Sequence, residues 1–148
     1  MKLDETDKKI LNVLLDNSKL SLREISKKVS VSVATVMHRI DNMEEEGVIK
    51  SYTATLNYEK VGYDIEVMIE VRISKGKLFE VEKKIATHPN VFGVYDLTGD
   101  FDAAILARFK SRRQMDNFLK KIQTYDFVER TNTRLILNII KQKQIEVR

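Results

Sequence analysis

The sequence predicts an α+β protein with a helical N-terminal domain and a βαββαβ C-terminal domain. Two observations support this fold class. Apolar residues recur at helical spacing as far as Gly47, whereas from residue 63 onward strictly alternating segments are interleaved with two helical ones. A chain of 148 residues, 43% of them apolar, can form two small cores. We place the domains at residues 1–50 and 63–148, joined by a strand linker and hinge over residues 51–62.

The first helix is predicted to open at two acidic residues. Asp4 and Asp7 are favourably placed near the positive end of a helix dipole. Ile10, Leu11 and Leu14 then form an apolar stripe that can pack on later helices.

Residues 21–49 form the stretch around which the N-terminal domain is organised. Ser21 and Glu24 make a capping box that marks a helix start. Ser32 can cap a second helix, which Gly47 ends at a position suited to left-handed backbone. Two short helices joined by about three or four residues predict a helix-turn-helix, whose second helix enters the DNA major groove.

Local charge supports a nucleic-acid partner more than total charge does. Between Lys19 and Ile40 the bases outnumber the single acid, Glu24. Over residues 1–62, however, bases and acids balance, so the net charge of +4 comes from the second half. A basic segment with acidic flanks is typical of a phosphate-facing surface. The alternative interpretation is the solvated face of an ordinary helical bundle.

Alternating residues from Val48 to Leu56 predict a strand, which serves as a wing or as a link onward, and residues 57–62 predict a hinge. The second half changes to a strand–helix–strand–strand–helix–strand order, which is the ferredoxin-like arrangement. The predicted elements are strand 65–73, helix 77–88, strand 91–97, turn 98–100, strand 101–109, a helix from Ser111, and strand 128–140.

Such a fold covers one sheet face with helices and leaves the other open. By parity along each strand, the open face would hold Met68, Val94, Leu106, Ile136 and Ile140. Large apolar side chains are costly to leave in water, at roughly 1.5–3 kcal/mol each. The sequence therefore predicts a homodimer packed sheet to sheet. The alternative is that the N-terminal domain covers this face.

The whole chain resembles the Lrp/AsnC family of feast/famine transcription regulators. In the second half the resemblance lies in the turn Thr98–Asp102 within a ferredoxin-like domain. The matching residues of the first half are Leu3, Asp4, Asp7, Ile10, Leu11, Leu22, Ile25, Ser32, Thr35, Val36, Arg39, Ile40, Glu44, Glu45, Gly47, Val48 and Ile49. The resemblance implies a winged-helix-like DNA-binding domain, a strand linker, and a C-terminal (RAM) domain that dimerises and often senses amino acids.

Roles on DNA follow from that resemblance. It places Ser32, Ala34, Thr35, His38 and Arg39 on the exposed start and middle of the recognition helix. Arg39 could read guanine bidentately or clamp a phosphate. His38 could do either more weakly, or be a solvated surface histidine. The residues better suited to phosphate contact are Ser21, Lys27, Lys28 and Lys50.

The chain departs from the family pattern at three places. Ser30 stands where many relatives have Gly, and Val33 where many have Pro, so the turn between the helices loses some preorganisation. Phe127 replaces a frequent Gly that borders the effector cleft in relatives, and its bulk would limit the size or the binding of a ligand.

The candidate effector site is the turn Gly99, Asp100, Phe101 and Asp102. Gly99 lets backbone amides approach a carboxylate, and Asp100 or Asp102 could pair with an α-ammonium group. Thr131 and Thr133 are further candidates for the opposite end of the cleft. The alternative is a plain hairpin turn, in which Gly-Asp is ordinary.

The expected function is a sequence-specific DNA-binding transcriptional regulator, modulated by an amino acid or a related molecule. We expect a cytoplasmic, DNA-associated homodimer, with tetramers or octamers as larger assemblies, and no cofactor, metal site or membrane contact. Two alternatives remain. One is an architectural protein that binds DNA without sequence preference. The other is an enzyme resembling sirohaem decarboxylases, which share this architecture but need histidines in the second domain, where His88 stands alone.

Overall fold

The computed structural model describes residues 2–148, apart from the side chain of Glu82. The chain divides into two compact units. A helical unit runs to Thr55 and includes Lys141–Arg148, and a sheet unit spans Leu56–Ile140. The division falls inside the segment predicted as the linker. The return of the C-terminal tail to the helical unit was not predicted from the sequence.

The helical unit contains three helices, α1 (Glu5–Asp16), α2 (Leu22–Val29) and α3 (Val33–Glu45). They enclose one apolar core, to which each helix contributes the stripe expected from its periodicity. The buried residues are Ile10, Leu11, Ile25, Val29, Val36, Ile40 and Met43. The predicted helix-turn-helix is therefore present as α2 and α3.

Side chains that bind free backbone amides fix the starts of these helices. Ser21 Oγ accepts from the Glu24 amide at 3.2 Å, and the Glu24 carboxylate accepts from the Ser21 amide at 2.8 Å. The Ser21 amide, and then the Ser21 hydroxyl, which donates to Glu24 Oε2 at 2.8 Å, hold the pKa of Glu24 below its ordinary value of 4.5. Ser32 Oγ accepts from the Thr35 amide at 3.1 Å. Both caps agree with the sequence prediction.

The turn between α2 and α3 depends on a serine in left-handed backbone. Ser30 has φ 59°, and it is the one non-glycine residue with positive φ in the part of the chain that the structure describes. An L side chain pays a steric cost in this region, about 1–2 kcal/mol. The hydroxyl of the nearby Ser26 donates to the Val31 carbonyl at 2.7 Å and helps to hold the turn.

The strand predicted over residues 48–56 is wrong. Residues 51–57 have no regular structure, and one 3₁₀ turn follows at Glu59–Val61. A strand needs a neighbouring strand with which its backbone groups can form hydrogen bonds, and the described residues of the helical unit contain no strand to pair with. The segment is instead tied to α3 by the Tyr52 hydroxyl, which donates to Glu44 Oε1 at 2.8 Å. Partial burial, followed by this carboxylate, raises the pKa of Tyr52 to about 12.

The sheet unit has the predicted βαββαβ order. Its four strands lie in the order β2-β3-β1-β4, every neighbouring pair antiparallel, which confirms the ferredoxin-like fold. The elements are β1 (Ile65–Ile73), α4 (Leu78–Lys84), β2 (Val91–Asp96), β3 (Ala103–Phe109), α5 (Arg112–Gln123) and β4 (Val128–Leu135).

A register irregularity in β2 corrects the predicted open face. Val91 pairs with Ala107, but Gly93 pairs with Leu106, so one residue is inserted between them. The insertion turns Val94 opposite the buried Ile105 and onto the core side, where it packs against the core. The assignment of Val94 to the open face is therefore wrong, because strand parity cannot register a bulge.

Several predicted elements of the sheet unit differ in length from the observed ones. Strand β4 ends at Leu135, opposite Val67 of β1, although the Ile136 amide still donates to the Glu66 carbonyl at 2.9 Å. Beyond it Ile140 is 94% exposed, so it does not belong to the packed face. The hairpin between β2 and β3 is a loop over residues 97–102, not a three-residue turn, and helix α4 ends at Lys84.

The C-terminal tail is bound to α1 through one asparagine. The Asn12 carboxamide donates to the Val147 carbonyl at 3.0 Å and accepts from the Val147 amide at 2.8 Å. Val147 is partly buried against the helical core. Asn12 thus satisfies both backbone groups of one residue, as a neighbouring strand would.

Replacing Asn12 tests this attachment. In Asn12→Ala both hydrogen bonds are lost, and we expect about 1–2 kcal/mol less protection of the tail, since each bond contributes about 0.5–1.5 kcal/mol. Hydrogen exchange of the Val147 amide measures this directly. Lys9→Ala, at an exposed position of α1, is the matched control. Unchanged exchange at Val147 in Asn12→Ala would show that apolar contact alone holds the tail.

Candidate nucleic-acid interface and effector loop

The exposed side of α3 carries several of the predicted DNA-contacting residues. Ser32, at its N-cap, Ala34 and His38 are exposed, and Thr35 is half-buried. His38 Nε2 lies 3.2 Å from Asn42 Nδ2, one turn further along. The other predicted contacts, Ser21, Lys27, Lys28 and Lys50, are also exposed. The structure thus leaves these side chains accessible to a partner.

Arg39, a predicted DNA contact, is ion-paired within the chain. Its Nη1 donates to Asp4 Oδ2 at 2.6 Å and to Asp7 Oδ1 at 3.1 Å, and Asp7 is 1% exposed. The Asp7 amide and then Arg39 hold the pKa of Asp4 below its ordinary value of 3.8, while the two carboxylates raise the pKa of Arg39. Arg39 therefore joins α3 to the N-terminus of α1, a contact that competes with base reading.

Two apolar residues on the exposed side of α3 were missed as contact candidates. Met37 is 48% exposed, and Val33, one turn earlier, is 40% exposed. Their spacing of four residues puts them on one face of α3, beside the buried stripe of Val36 and Ile40, and this spacing was the available signal. Lys19, which precedes α2, and Arg23, which lies in α2, are exposed bases that were likewise left out of the predicted contact set.

The two aspartates of the candidate effector loop, Gly99–Asp102, have different environments. Asp102 Oδ2 accepts from the Ile73 amide at 2.7 Å, and the Asp102 amide donates to the Val71 carbonyl at 2.9 Å. Asp102 therefore continues the pairing of β1 with β3 by one residue into the loop. Asp100 is exposed, next to Gly99 with its φ of 105°. Asp102 is also exposed, but its carboxylate already accepts the Ile73 amide, so Asp100 is the better placed of the two to bind a ligand.

Other candidates at this end of the sheet are only partly brought together. The register aligns Ala103, Val71 and Thr131 in one row across the sheet, and Thr133, which pairs with Ile69, lies two rows further from the loop. Thr131 Oγ1 accepts from Gln123 Nε2 at 3.3 Å. Thr131 is thus near the loop but already bonded to α5.

Two arginines near the effector loop were missed. Arg72 and Arg130 are exposed and directly paired on adjacent strands, where like charges repel. The Arg130 guanidinium lies 5.5 Å from the centre of the Phe101 ring. Sequence periodicity places both residues in strands but cannot reveal that their register makes them opposite one another. The pair offers an anion two positive charges beside Gly99–Asp102.

Phe127 does not line a cleft in this structure. It is buried in the sheet-unit core and stacked on Tyr125 with ring centres 5.2 Å apart. The Lys84 ammonium lies 5.8 Å from its ring centre. The expected effect of Phe127 on ligand size therefore has no structural support here.

The open sheet face is less apolar than predicted. Met68, Leu106 and Ile136 lie on it, but so do ion pairs from Arg108 to Glu66 at 2.8 Å and from Arg134 to Glu70 at 3.0 Å. Arg134 and then Asn132 lower the pKa of Glu70.

Arg108 is further enclosed by two aromatic rings. Its guanidinium carbon lies 4.1 Å from the ring centre of Tyr58 and 3.7 Å from that of Phe92. Arg and aromatic residues are common at interfaces, so the face remains suited to another protein surface.

Comparison with known proteins assigns each half of the chain to a known domain family. Residues 3–50 match the model for winged helix-turn-helix DNA-binding domains, and residues 66–145 match the Lrp/AsnC ligand-binding domain. The chain belongs to the Lrp/AsnC family. It is a helix-turn-helix transcriptional regulator with a ligand-binding domain.

Full-length relatives agree with this membership. An uncharacterised HTH-type transcriptional regulator of Pyrococcus furiosus is 43% identical, with 96% of each chain covered. The transcriptional regulator FL11 of the same organism is 38% identical over 95% of this chain and 93% of its own. A transcriptional regulator of Neisseria meningitidis, solved with L-Met, has a TM-score of 0.89 at 28% identity, covering 99% and 97% of the two chains. Escherichia coli AsnC shares the fold, with a TM-score of 0.91 and 24% identity over 99% and 100%.

The Arg39 contacts predict a stability effect. Arg39→Ala leaves the buried Asp7 carboxylate without its cation, which we expect to lower the free energy of unfolding of the helical unit by about 2 kcal/mol. Chemical denaturation, followed by the NMR signals of the backbone amides in the core of α1–α3, measures the loss of free energy of unfolding. A double-mutant cycle with Asp7→Asn provides the control, because the second substitution should cost less once Arg39 is gone. Unchanged stability with lost DNA binding would return Arg39 to the interface.

Proposed function

We propose that this protein is a sequence-specific DNA-binding regulator that acts as a homodimer and responds to an amino acid or a related small molecule. The observation that supports the first part most directly is the helix pair α2–α3. The side of α3 opposite its core residues is exposed, and the bases Arg23, Lys27 and Lys28 lie on the neighbouring α2. Phosphate contacts from one helix and base contacts from the next are how helix-turn-helix proteins bind.

The open face of the sheet supports dimerisation. Met68, Leu106 and Ile136 would lose their remaining exposure against a second copy, while the Glu66–Arg108 pair is already formed within one chain. Preformed charge pairs lower the cost of burying this face, because neither charge is left without a partner. Assembly into tetramers or octamers would build on this dimer.

The loop at residues 97–102 supports an amino-acid effector. Asp100 presents a free carboxylate suited to an α-ammonium group, while the Arg72–Arg130 pair suits a carboxylate nearby. A free amino acid carries both of these charges. L-Met, with which the Neisseria meningitidis regulator was solved, is such a molecule.

We propose that the protein is not an enzyme. His88, the sole histidine of the sheet unit, packs its ring on Phe118 at 4.7 Å between ring centres. Its Nδ1 accepts from the Asn90 amide at 3.2 Å, and burial lowers its pKa. In residues 2–148, Glu82 side chain aside, no cluster of His, Asp or Glu has the arrangement of a metal site, and no helix is long and apolar enough to span a membrane.

Footprinting of the DNA upstream of the protein's own gene tests the DNA-binding function. We expect protected patches recurring about every 10 base pairs on one side of the duplex, as two heads of a dimer would give. Lys27→Ala/Lys28→Ala should weaken binding and reduce the slope of log affinity against log salt by roughly 0.9 for each lost phosphate contact. Lys120→Ala/Lys121→Ala, which removes the same charge from exposed positions of α5, should change neither.

Two outcomes would overturn this function. Equal protection of random and upstream DNA would favour the architectural alternative. The absence of protection at every salt concentration, with the protein folded, would remove DNA binding and leave the tetrapyrrole enzyme as the alternative, to be tested by the absorbance of added sirohaem.

Variants of the two loop aspartates test the effector site. Asp100→Ala should change the response of the footprint to a mixture of the twenty amino acids while leaving the fold intact, because Asp100 is exposed. Asp102→Ala should lower the unfolding temperature, because it leaves the Ile73 amide without its acceptor. Asp126→Ala, an exposed acid outside the loop, is the control. An unchanged response in Asp100→Ala would exclude its carboxylate from the site.

A further inference from the structure

The exposed surface of the recognition helix is apolar at its centre. Along one side of α3 run Val33, Ala34, Met37, His38 and Asp41, all exposed, while Val36, Ile40 and Met43 on the other side are buried. Val33 and Met37 are one turn apart and retain 40% and 48% of their exposure. Half of a flexible methionine side chain therefore faces outward at the position where a recognition helix meets base edges.

The same helix has no free cation with which to read guanine. Arg39 is the single Lys or Arg between Val33 and Glu45, and both of its carboxylate partners lie on the N-terminal side of α1. The later part of α3 is acidic, with Asp41, Glu44 and Glu45. Bidentate contact from Arg or Lys to guanine O6 and N7, the commonest specific contact in the major groove, is therefore not available from α3.

The hydroxyl groups at the helix start are also engaged. Ser32 Oγ accepts from the Thr35 amide and lies 2.8 Å from Thr35 Oγ1. The charges for phosphate binding come instead from outside α3, at Lys19, Arg23, Lys27, Lys28 and Lys50, all exposed. An apolar centre beside a basic segment fits a nucleic acid that presents an apolar group in its groove.

The major groove contains one such group, the C5-methyl of thymine. We propose that Met37, supported by Val33, reads thymine methyl groups, so that base recognition by α3 rests on apolar contact and the preferred sites carry thymine at the positions under Met37. This inference rests on the proposed DNA-binding function and names its specificity determinant. A methionine side chain can adapt its shape to a methyl group on either strand.

Replacing thymine by uracil in the DNA tests the proposal, since this removes the C5-methyl and leaves base pairing intact. The probe is the tightest duplex selected by the full-length protein from a random pool, resynthesised with single uracils. At the thymines under α3 we expect roughly a threefold to fivefold loss of affinity for each methyl removed, as for one buried carbon. Met37→Ala should bind the thymine duplex more weakly and show no further loss with uracil.

Three controls keep the test specific. Met37→Leu retains an apolar side chain and should keep the sensitivity to uracil. Leu15→Ala, which trims another exposed apolar residue of the helical unit, should behave as the unaltered protein. Replacing guanine by 7-deazaguanine, which lacks the N7 acceptor, should have little effect under α3.

The outcomes separate the two proposals. Sequence-specific binding that is insensitive to uracil but sensitive to 7-deazaguanine overturns thymine reading and leaves the DNA-binding function standing. Uracil sensitivity that persists in Met37→Ala assigns the methyl contact to another residue and overturns the role of Met37. Failure to select any sequence from the pool would overturn the proposed sequence-specific function itself.

Discussion

Asp7 is buried and serves two helices at once. Its carboxylate accepts from the Asp4 amide at 2.9 Å, which caps α1, and from Arg39 at 3.1 Å, which fixes α3. An ionised group so far from water needs both kinds of partner. Because Arg39 is committed to this contact, the rotation of α3 about its own axis is set. That rotation decides that Val33, Met37 and His38, rather than a cation, face outward. The chemistry of the exposed surface thus follows from an interaction on the opposite side of the helix.

The sheet unit obeys a comparable constraint through backbone pairing. Strand β1 is bonded on both sides, to β3 and β4, and its odd-numbered residues from Val67 to Ile73 are buried under α4 and α5. Asp102 extends this pairing into the loop by accepting the Ile73 amide. The loop is therefore held at its Asp102 end and exposed at Asp100. Such a division suits a site that must keep its position while one carboxylate remains available to a ligand.

Local sequence signals predicted most of the fold. The Ser21–Glu24 box, the Ser32 cap and the alternation in β1 each depend on residues within a few positions, and each is present in the structure. Sequence reasoning missed the features that depend on contacts with residues distant in the chain. Arg39 binds residues 32 and 35 positions away, and the strand expected after Val48 has no edge to pair with. A bulge moved Val94 to the core. For the candidate site, exposure of Ser32, Ala34 and His38 was predictable from helical spacing, but the commitment of Arg39 and Asp102 to internal contacts was not.

Because the helical unit is built from both ends of the chain, it cannot be completed until the C-terminal tail has been synthesised. Helices α1–α3 are made of local contacts and can form as soon as the first part of the chain is synthesised. Asn12 and the core beside it, however, acquire Val147 only after the whole sheet unit has been made. Until then the Asn12 carboxamide remains hydrated and the apolar surface under Val147 is uncovered. A nascent chain therefore carries a folded but incomplete helical unit, and its last contact is made when the sheet is already available to fold.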